Sequence, residues 1–160
     1  MNSIIIYTEN KPIPEDCAKS LKKYFKHVHT NTNQVCCINT PESFYIDFWE
    51  ERINDSIEPL TKKEQKIIKM NNPYSLDIDF HFVSIIRKVV QAIFDIYPDA
   101  VVYDDQENWY GPAKEYITKP ISYEISTEDY KAQINELKTH IKVARKIRAL
   151  HNSIYKYIKK

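Results

Sequence analysis

The stretch "LDIDFHFVSIIRKVVQAIFDIYPDAVVYDD", residues 76–105, decides the fold of this chain. Apolar and polar side chains alternate over its first residues, which is typical of a β-strand with one buried face. From Phe82 to Phe94 the apolar residues recur every three or four positions, which indicates a helix with a broad apolar side. The β-branched run "AVVYDD" follows as a second strand. The stretch therefore predicts a strand–helix–strand unit, in which the strands normally run parallel with a right-handed connection.

Segments on either side extend this unit into a sheet with helices. Strand patterns occur in "SIIIYTE" (3–9), "QVCCINT" (34–40), "FYIDFWEE" (44–51) and "ISYEIS" (121–126), and helical patterns in "EDCAKSLKKYFKHV" (15–28) and "LTKKEQKIIKMNN" (60–72). The short link "TPES" predicts a hairpin between the second and third of these strands. Strict alternation in two strands indicates a sheet with one open face. We predict an α+β fold with a single mixed or antiparallel sheet and helices on one face, as in ferredoxin-like or related sandwiches.

The C-terminal segment differs from the rest of the chain in charge. Residues 1–126 are predicted to form the α+β domain and residues 127–160 a long basic helix, together one domain. Residues 131–160 contain nine Lys or Arg and one acid, a net charge of +8, whereas residues 1–130 carry a net charge of −7. The helix either breaks near residues 151–153 and packs back on the domain, or it continues and projects. A projecting apolar stripe favours a homodimer through this helix.

The composition excludes several classes of protein. Gly111 is the single glycine, so the glycine motifs of dinucleotide-binding, P-loop and α/β-hydrolase proteins are missing. Cys17, Cys36 and Cys37 form no CxxC pair and are expected to be reduced thiols in a cytoplasmic protein. The N-terminal apolar run is too short for a signal peptide or a membrane span. We expect no catalytic motif, no cofactor and no membrane partner.

A candidate binding surface follows from the residues that alternate with the apolar ones. These outward positions, together with the segment "YDDQENWY" after the core helix, combine aromatic and acidic side chains. The predicted partner-binding residues are Tyr45, Asp47, Trp49, Asp77, Asp79, His81, Asp104, Asp105, Glu107, Trp109 and Tyr110. Aromatic anchors ringed by carboxylates are typical of a protein surface that binds a basic partner. The excess of tyrosine, twelve in all, fits a recognition face of this kind.

The same acidic residues permit a second interpretation, a divalent-metal site. If the two strands of the unit lie side by side, four side chains converge: Asp77, Asp79, His81 and Asp104. Oxygen ligands with one imidazole suit Mg²⁺ or Mn²⁺, and such a site supports a metal-dependent phosphoesterase or nuclease. Against this, Asp77 and Asp79 are about 7 Å apart along a strand, and acids that alternate with apolar residues are usually a solvated strand face.

A third interpretation concerns the basic C-terminal helix. Its exposed cations are expected at Lys138, Lys142, Arg145, Lys146 and Arg148. Such a helix suits a nucleic-acid-binding or regulatory module. The alternative is that it neutralises the acidic domain. The net charge of +1 for the whole chain gives little long-range attraction to nucleic acid, and this favours the alternative.

The segment "SLDIDFHFVSIIRKVVQAIFDIYPDAVVYDDQENWYG", residues 75–111, joins a strand and a core helix to an acid-rich loop. In this combination, and in its small size, low glycine content and acidic aromatic face, the chain resembles bacterial immunity proteins of toxin–immunity systems. The resemblance assigns no residue a role. It implies a stoichiometric protein inhibitor, cytoplasmic where the toxin acts there, whose partner is a cognate toxin domain of basic character. An inhibitor of a nuclease needs an acidic surface of this kind, because it replaces nucleic acid in a basic cleft.

Overall fold

A computed structural model describes residues 2–38, 42–56, 59–121 and 127–158 of the 160-residue chain. The chain divides into two compact units, Met1–Glu124 and Ile125–Lys160. The strands and four α-helices of the described residues lie in the first unit, and one long helix makes up the second. The sheet that carries the candidate residues therefore belongs to the first unit.

Seven strands form one sheet in the described part of the chain, and all neighbouring strands are antiparallel. The strands are β1 (Asn2–Thr8), β2 (Val28–Thr30), β3 (Gln34–Cys37), β4 (Phe44–Phe48), β5 (Tyr74–Phe80), β6 (Val101–Asp104) and β7 (Trp109–Pro112). Their spatial order is β2-β3-β4-β5-β1-β6-β7. The predicted α+β class is confirmed, and β3 pairs with β4 as expected.

The helices follow the local signals of the sequence, with one difference in length. They are α1 (Pro14–Leu21), α2 (Lys62–Ile68), α3 (Val83–Phe94), α4 (Ala113–Thr118) and α5 (Thr127–Ile158). At the start of α2, Thr61 and Glu64 form the predicted capping box, in which the Thr61 N–H donates to the Glu64 carboxylate at 2.7 Å. The helix α1 is shorter than predicted, and Val28–Thr30 forms a strand instead, because pairing with β3 satisfies its backbone.

The helix α3 connects β5 to β6 as predicted, but these two strands are not neighbours. The N-terminal strand β1 lies between them and pairs antiparallel with both, so β5 and β6 run in the same direction. Ile5 is opposite Asp77 on one side and opposite Tyr103 on the other. Two strand spacings separate β5 from β6 by about 10 Å. The expectation that the two strands lie side by side is therefore wrong.

The main hydrophobic core lies between one face of the sheet and three helices, α1, α3 and α4. On the strands it takes alternate residues, such as Ile4, Ile6, Leu76, Ile78 and Phe80, all at most 2% exposed. The predicted apolar side of α3 is also confirmed. Its buried residues are Val83, Ile85, Ile86, Val89, Val90, Ala92 and Ile93.

A second, smaller cluster lies on the opposite face of the sheet. Tyr7, Leu60, Ile68 and Met70 are buried there. Tyr7 points to this face because it alternates with Ile6 along β1. The helix α2 therefore covers the β1–β6–β7 end of the face that the sequence predicts to be open, while the other helices of the first unit pack on the main core.

The helix α5 is continuous over 32 residues, which corresponds to about 48 Å. It continues through residues 151–153, so of the two alternatives left open by the sequence, a broken or a continuous helix, the structure shows the continuous one. The last predicted strand, "ISYEIS", falls almost entirely on residues 122–126, which lie outside the described residues.

Candidate functional site

Four of the predicted binding residues lie together on β4 and β5, on the face opposite the main core. Tyr45 is directly opposite Asp79, and Asp47 is directly opposite Asp77. All four side chains are partly exposed. The alternation in "FYIDF" and "LDIDF" produces this arrangement, because it turns every second residue of each strand away from the core.

Trp49, the residue that follows β4, lies next to these four side chains. Its side chain is 54% exposed, and its indole N–H donates a hydrogen bond to Asp77 Oδ2 at 2.8 Å. An exposed tryptophan that is held in place by a carboxylate is a preformed aromatic anchor. We refer to Tyr45, Asp47, Trp49, Asp77 and Asp79 together as the acidic face.

The carboxylates of the acidic face repel one another. Partial burial raises the pKa of Asp77, and the charges of Asp47 and Asp79 raise it further, against the lowering effect of the Trp49 hydrogen bond. Like charges directly opposite each other on neighbouring strands destabilise a sheet. Within the described residues, no Lys or Arg forms an ion pair with any of these three aspartates. The acidic face therefore carries negative charge that the described part of the chain leaves uncompensated.

Three neighbours of the acidic face were missed by the sequence analysis. Gln34 is opposite Asp47 and donates its amide N–H to the Asp47 carboxylate at 2.8 Å. Cys36 is opposite Tyr45, and His29 is opposite Cys36 on the edge strand β2. The alternation in "QVCC" puts Gln34 and Cys36 on one face of β3, but only the pairing of strands shows that this face is shared with Asp47.

Asp104 does not belong to the acidic face. It lies on the same face of β6 as the core residue Val102, and its side chain is completely buried. Its carboxylate accepts hydrogen bonds from the Tyr116 hydroxyl at 2.8 Å and from the Glu107 backbone N–H at 3.2 Å. The structure therefore does not place Asp104 on one surface with Asp77: its side chain is buried, and the sheet lies between the two.

Trp109 is also on the side of the main core. Its ring packs against Tyr116, with 5.6 Å between the ring centroids, and Lys119 Nζ lies 5.3 Å from the Trp109 centroid. Lys119 also forms an ion pair with Glu107 at 3.6 Å. The predicted residues Glu107 and Trp109 thus form a separate cluster around Lys119 and do not extend the acidic face.

The other predicted residues have different surroundings. Asp105 is exposed in the turn between β6 and β7, and His81 is exposed one residue after β5. Tyr110 lies under α2, where its ring stacks on Tyr103 at 4.1 Å and its hydroxyl donates to Glu64 at 3.2 Å.

Two of the twelve tyrosines, Tyr7 and Tyr110, pack in the smaller hydrophobic cluster. Burial, and to a smaller extent the Glu64 charge, raises the pKa of both Tyr7 and Tyr110. Both hydroxyls consequently stay protonated, and the two rings act as apolar surface with a polar tip in the smaller cluster. The abundance of tyrosine in the sequence does not by itself locate a recognition face.

The residues proposed as metal ligands do not converge in the structure. Asp77 and Asp79 are on one face of the sheet, and Asp104 is on the other. Among the described residues, no group of three or more His, Cys, Asp or Glu side chains has the geometry of a metal site. The ligand set of the second interpretation, Asp77, Asp79, His81 and Asp104, is therefore not assembled.

The chain matches no protein-family model, no curated protein sequence and no solved structure. Over the part of the chain that the structure describes, none of the helices combines the length and the apolar character needed to cross a lipid bilayer.

We expect the variant Asp77→Asn to be at least as stable as the parent chain at pH 7, with a gain of up to about 1 kcal/mol in the free energy of unfolding. Asparagine still accepts the Trp49 hydrogen bond but carries no charge opposite Asp47. Because the pKa of Asp77 is raised in the folded state, the parent binds this proton more tightly when folded, and its stability falls as the pH rises above the ordinary carboxyl pKa of about 4. Urea denaturation at several pH values measures this difference.

The gain of Asp77→Asn should be smallest near pH 4 and should grow towards pH 7. The matched control is Asp105→Asn, which removes an exposed carboxylate in a turn and should change stability little at either pH. A loss of stability in Asp77→Asn that is the same at all pH values would contradict this account of the acidic face.

Proposed function

We propose that this chain is a non-catalytic binding protein, a bacterial immunity protein that inhibits a cognate toxin by covering its active site with the acidic face. The observation that carries the proposal is the set of three adjacent aspartates, which no cation compensates within the described residues, next to the exposed ring of Trp49. A toxin domain with a basic cleft is the partner that such a surface fits.

The charge repulsion within the acidic face destabilises the folded chain, and this supports a role of the face in binding. The opposed pair Asp47–Asp77 costs folding stability, and a sheet without a partner gains nothing from it. Lys or Arg side chains of a partner would relieve this repulsion when they dock. Their charge would also accelerate association at low ionic strength.

The composition of the face supports the same kind of partner. Trp49 and Tyr45 supply apolar area with a polar tip, as in the centre of many protein interfaces. For a nuclease toxin, the carboxylates would occupy the positions of the nucleic-acid phosphates. Cys17, Cys36 and Cys37 are buried and form no disulfide, which is compatible with the reducing cytoplasm in which such an inhibitor would protect its producer.

If a gene next to the one for this chain encodes a large secreted protein, the C-terminal domain of that protein is the candidate toxin, and binding of the full chain to this domain tests the proposal. The full chain should bind that domain with one-to-one stoichiometry, block its activity and restore the growth of cells that express it. Asp79→Lys should weaken binding by roughly tenfold to a hundredfold, because it places a cation against the basic cleft. Trp49→Ala should weaken binding to a similar extent through loss of the anchor.

The matched control is Glu115→Lys, which makes the same change of charge on α4, a helix that packs on the opposite side of the sheet. It should bind the toxin domain as the parent does. Circular dichroism and thermal melts establish that all variants are folded. Equal affinity of Asp79→Lys, Trp49→Ala and the parent would exclude the acidic face as the inhibitory surface.

A further inference from the structure

The helix α5 exposes large apolar side chains in a short segment. Ile141, Val143, Ile147 and Leu150 are 47–65% exposed. Isolated exposed apolar residues are ordinary in soluble proteins, but several within three turns of one helix indicate an interface. The side chains around them, from residue 138 to residue 151, are also exposed.

The spacing of these residues defines a seam along the helix. Val143, Ile147 and Leu150 are separated by four and three residues, and the same steps continue to positions 154 and 157 of the helix. This is the spacing of the core positions a and d in a coiled coil, with Ile147 at a, and Val143 and Leu150 at d. Ile141 falls at position b, on the outer side, and is not part of the seam.

The positions of the cations show which partner this seam suits. In the same register the basic residues at outer positions are Lys138 and Arg145 at f, Lys142 at c and Arg148 at b. Lys146 alone flanks the seam, at g. Two copies of the helix can therefore meet along the seam while most of their charge points to solvent, although residues 131–160 carry a net charge of +8.

We propose that α5 binds a second copy of this chain and forms a short, parallel, two-stranded coiled coil centred on Ile147 and Leu150. Ile147 at a and Leu150 at d are the combination of β-branched residue and leucine that favours two parallel strands. The seam spans only about two heptads, so the dimer should be reversible and depend on concentration. The seam uses none of the residues of the acidic face, and neither proposal depends on the other.

Sedimentation equilibrium of the full chain tests the proposal. The average mass should rise from 19.0 kDa towards twice that value as the concentration approaches roughly 200 μM. Ile147→Asp should remain monomeric at every concentration, because it places a charge in the seam. The matched control Ile141→Asp changes an equally apolar, exposed residue outside the seam and should dimerise like the parent.

A cysteine pair tests the parallel arrangement. In a parallel dimer the d positions of the two copies face each other, so Leu150→Cys should form a cross-linked dimer under mild oxidation, whereas Ile141→Cys should not. Cross-linking of Ile141→Cys with none of Leu150→Cys would overturn the assigned seam.

A parent chain that stays monomeric at roughly 200 μM, or an Ile147→Asp variant that dimerises normally, would overturn the proposal of a second copy. Two other occupants are distinguished on the same samples. Binding of the monomeric parent to vesicles of phosphatidylcholine and phosphatidylserine, lost in Ile147→Asp, would assign the seam to an anionic membrane surface. Salt-sensitive binding to duplex DNA by a monomeric parent, lost in Lys142→Glu, would assign the helix to nucleic acid.

Discussion

Replacement of Phe80 by alanine is expected to lower the free energy of unfolding by about 3–5 kcal/mol, the largest effect that we predict for a single substitution in this chain. Phe80 ends β5, is completely buried, and is opposite Phe44 of β4, which is also completely buried. Removal of the ring leaves a cavity in the main core, where the closely packed neighbouring side chains have little room to collapse. Urea or thermal denaturation of the purified variant measures the loss.

The control for Phe80→Ala is Asp79→Ala, one residue earlier on the same strand. Asp79 points to the acidic face and is partly exposed, so its removal should change the free energy of unfolding by less than about 1 kcal/mol. Comparison of Phe80→Ala with Asp79→Ala measures the contribution of each face of β5 at nearly the same place in the sheet. Similar losses for the two variants would mean that the assignment of faces is wrong.

Gly111→Ala is expected to destabilise the chain by about 1–3 kcal/mol. A β-carbon at this position would overlap two ring carbons of Trp109, well inside van der Waals contact. Tyr116 and Lys119 pack against the Trp109 ring, which limits how far the ring can move. The single glycine of the sequence is therefore required by the close approach of this ring, since its backbone does not have a positive φ.

A double-mutant cycle tests this explanation. In the background of Trp109→Ala the added β-carbon meets no ring, so Gly111→Ala should cost less than about 0.5 kcal/mol there. An equal cost of Gly111→Ala in both backgrounds would show that the backbone, and not the tryptophan, requires glycine at this position.

The parts of the fold that depend on local periodicity could be predicted from the sequence. Alternation in "FYIDF" and "LDIDF" identifies β4 and β5 and the residues that face away from the core, and the broad apolar side of α3 appears as seven buried positions. Thr61 and Glu64 likewise identify the start of α2. The structure contains these elements as predicted, because each signal depends on residues within one or two turns of a helix or along one strand.

The candidate site could be predicted only in part. Tyr45, Asp47, Asp77 and Asp79 were assigned to one surface because the two strands have the same pattern. Asp104 follows an equally strand-like segment, but its place in β6 turns it towards Tyr116 and the core. An aspartate at the end of an apolar run is common both in turns and in binding loops. The sequence therefore has no signal that shows whether the Asp104 side chain is buried or exposed.

By itself, the sequence determined most of the segments that become strands and helices, and which side of each is apolar. It also determined that the acidic residues are concentrated in the α+β domain and the basic residues in the C-terminal helix. The tertiary structure alone decided that β1 lies between β5 and β6, that α2 covers one end of the second face, and that Asp104 is buried while Asp77 is not. The physical reason is that periodicity and capping act between near neighbours in the chain. Strand order and burial depend instead on contacts such as that of Ile5 with Asp77, between residues 72 positions apart, whose free energy is set by the packing of the whole sheet.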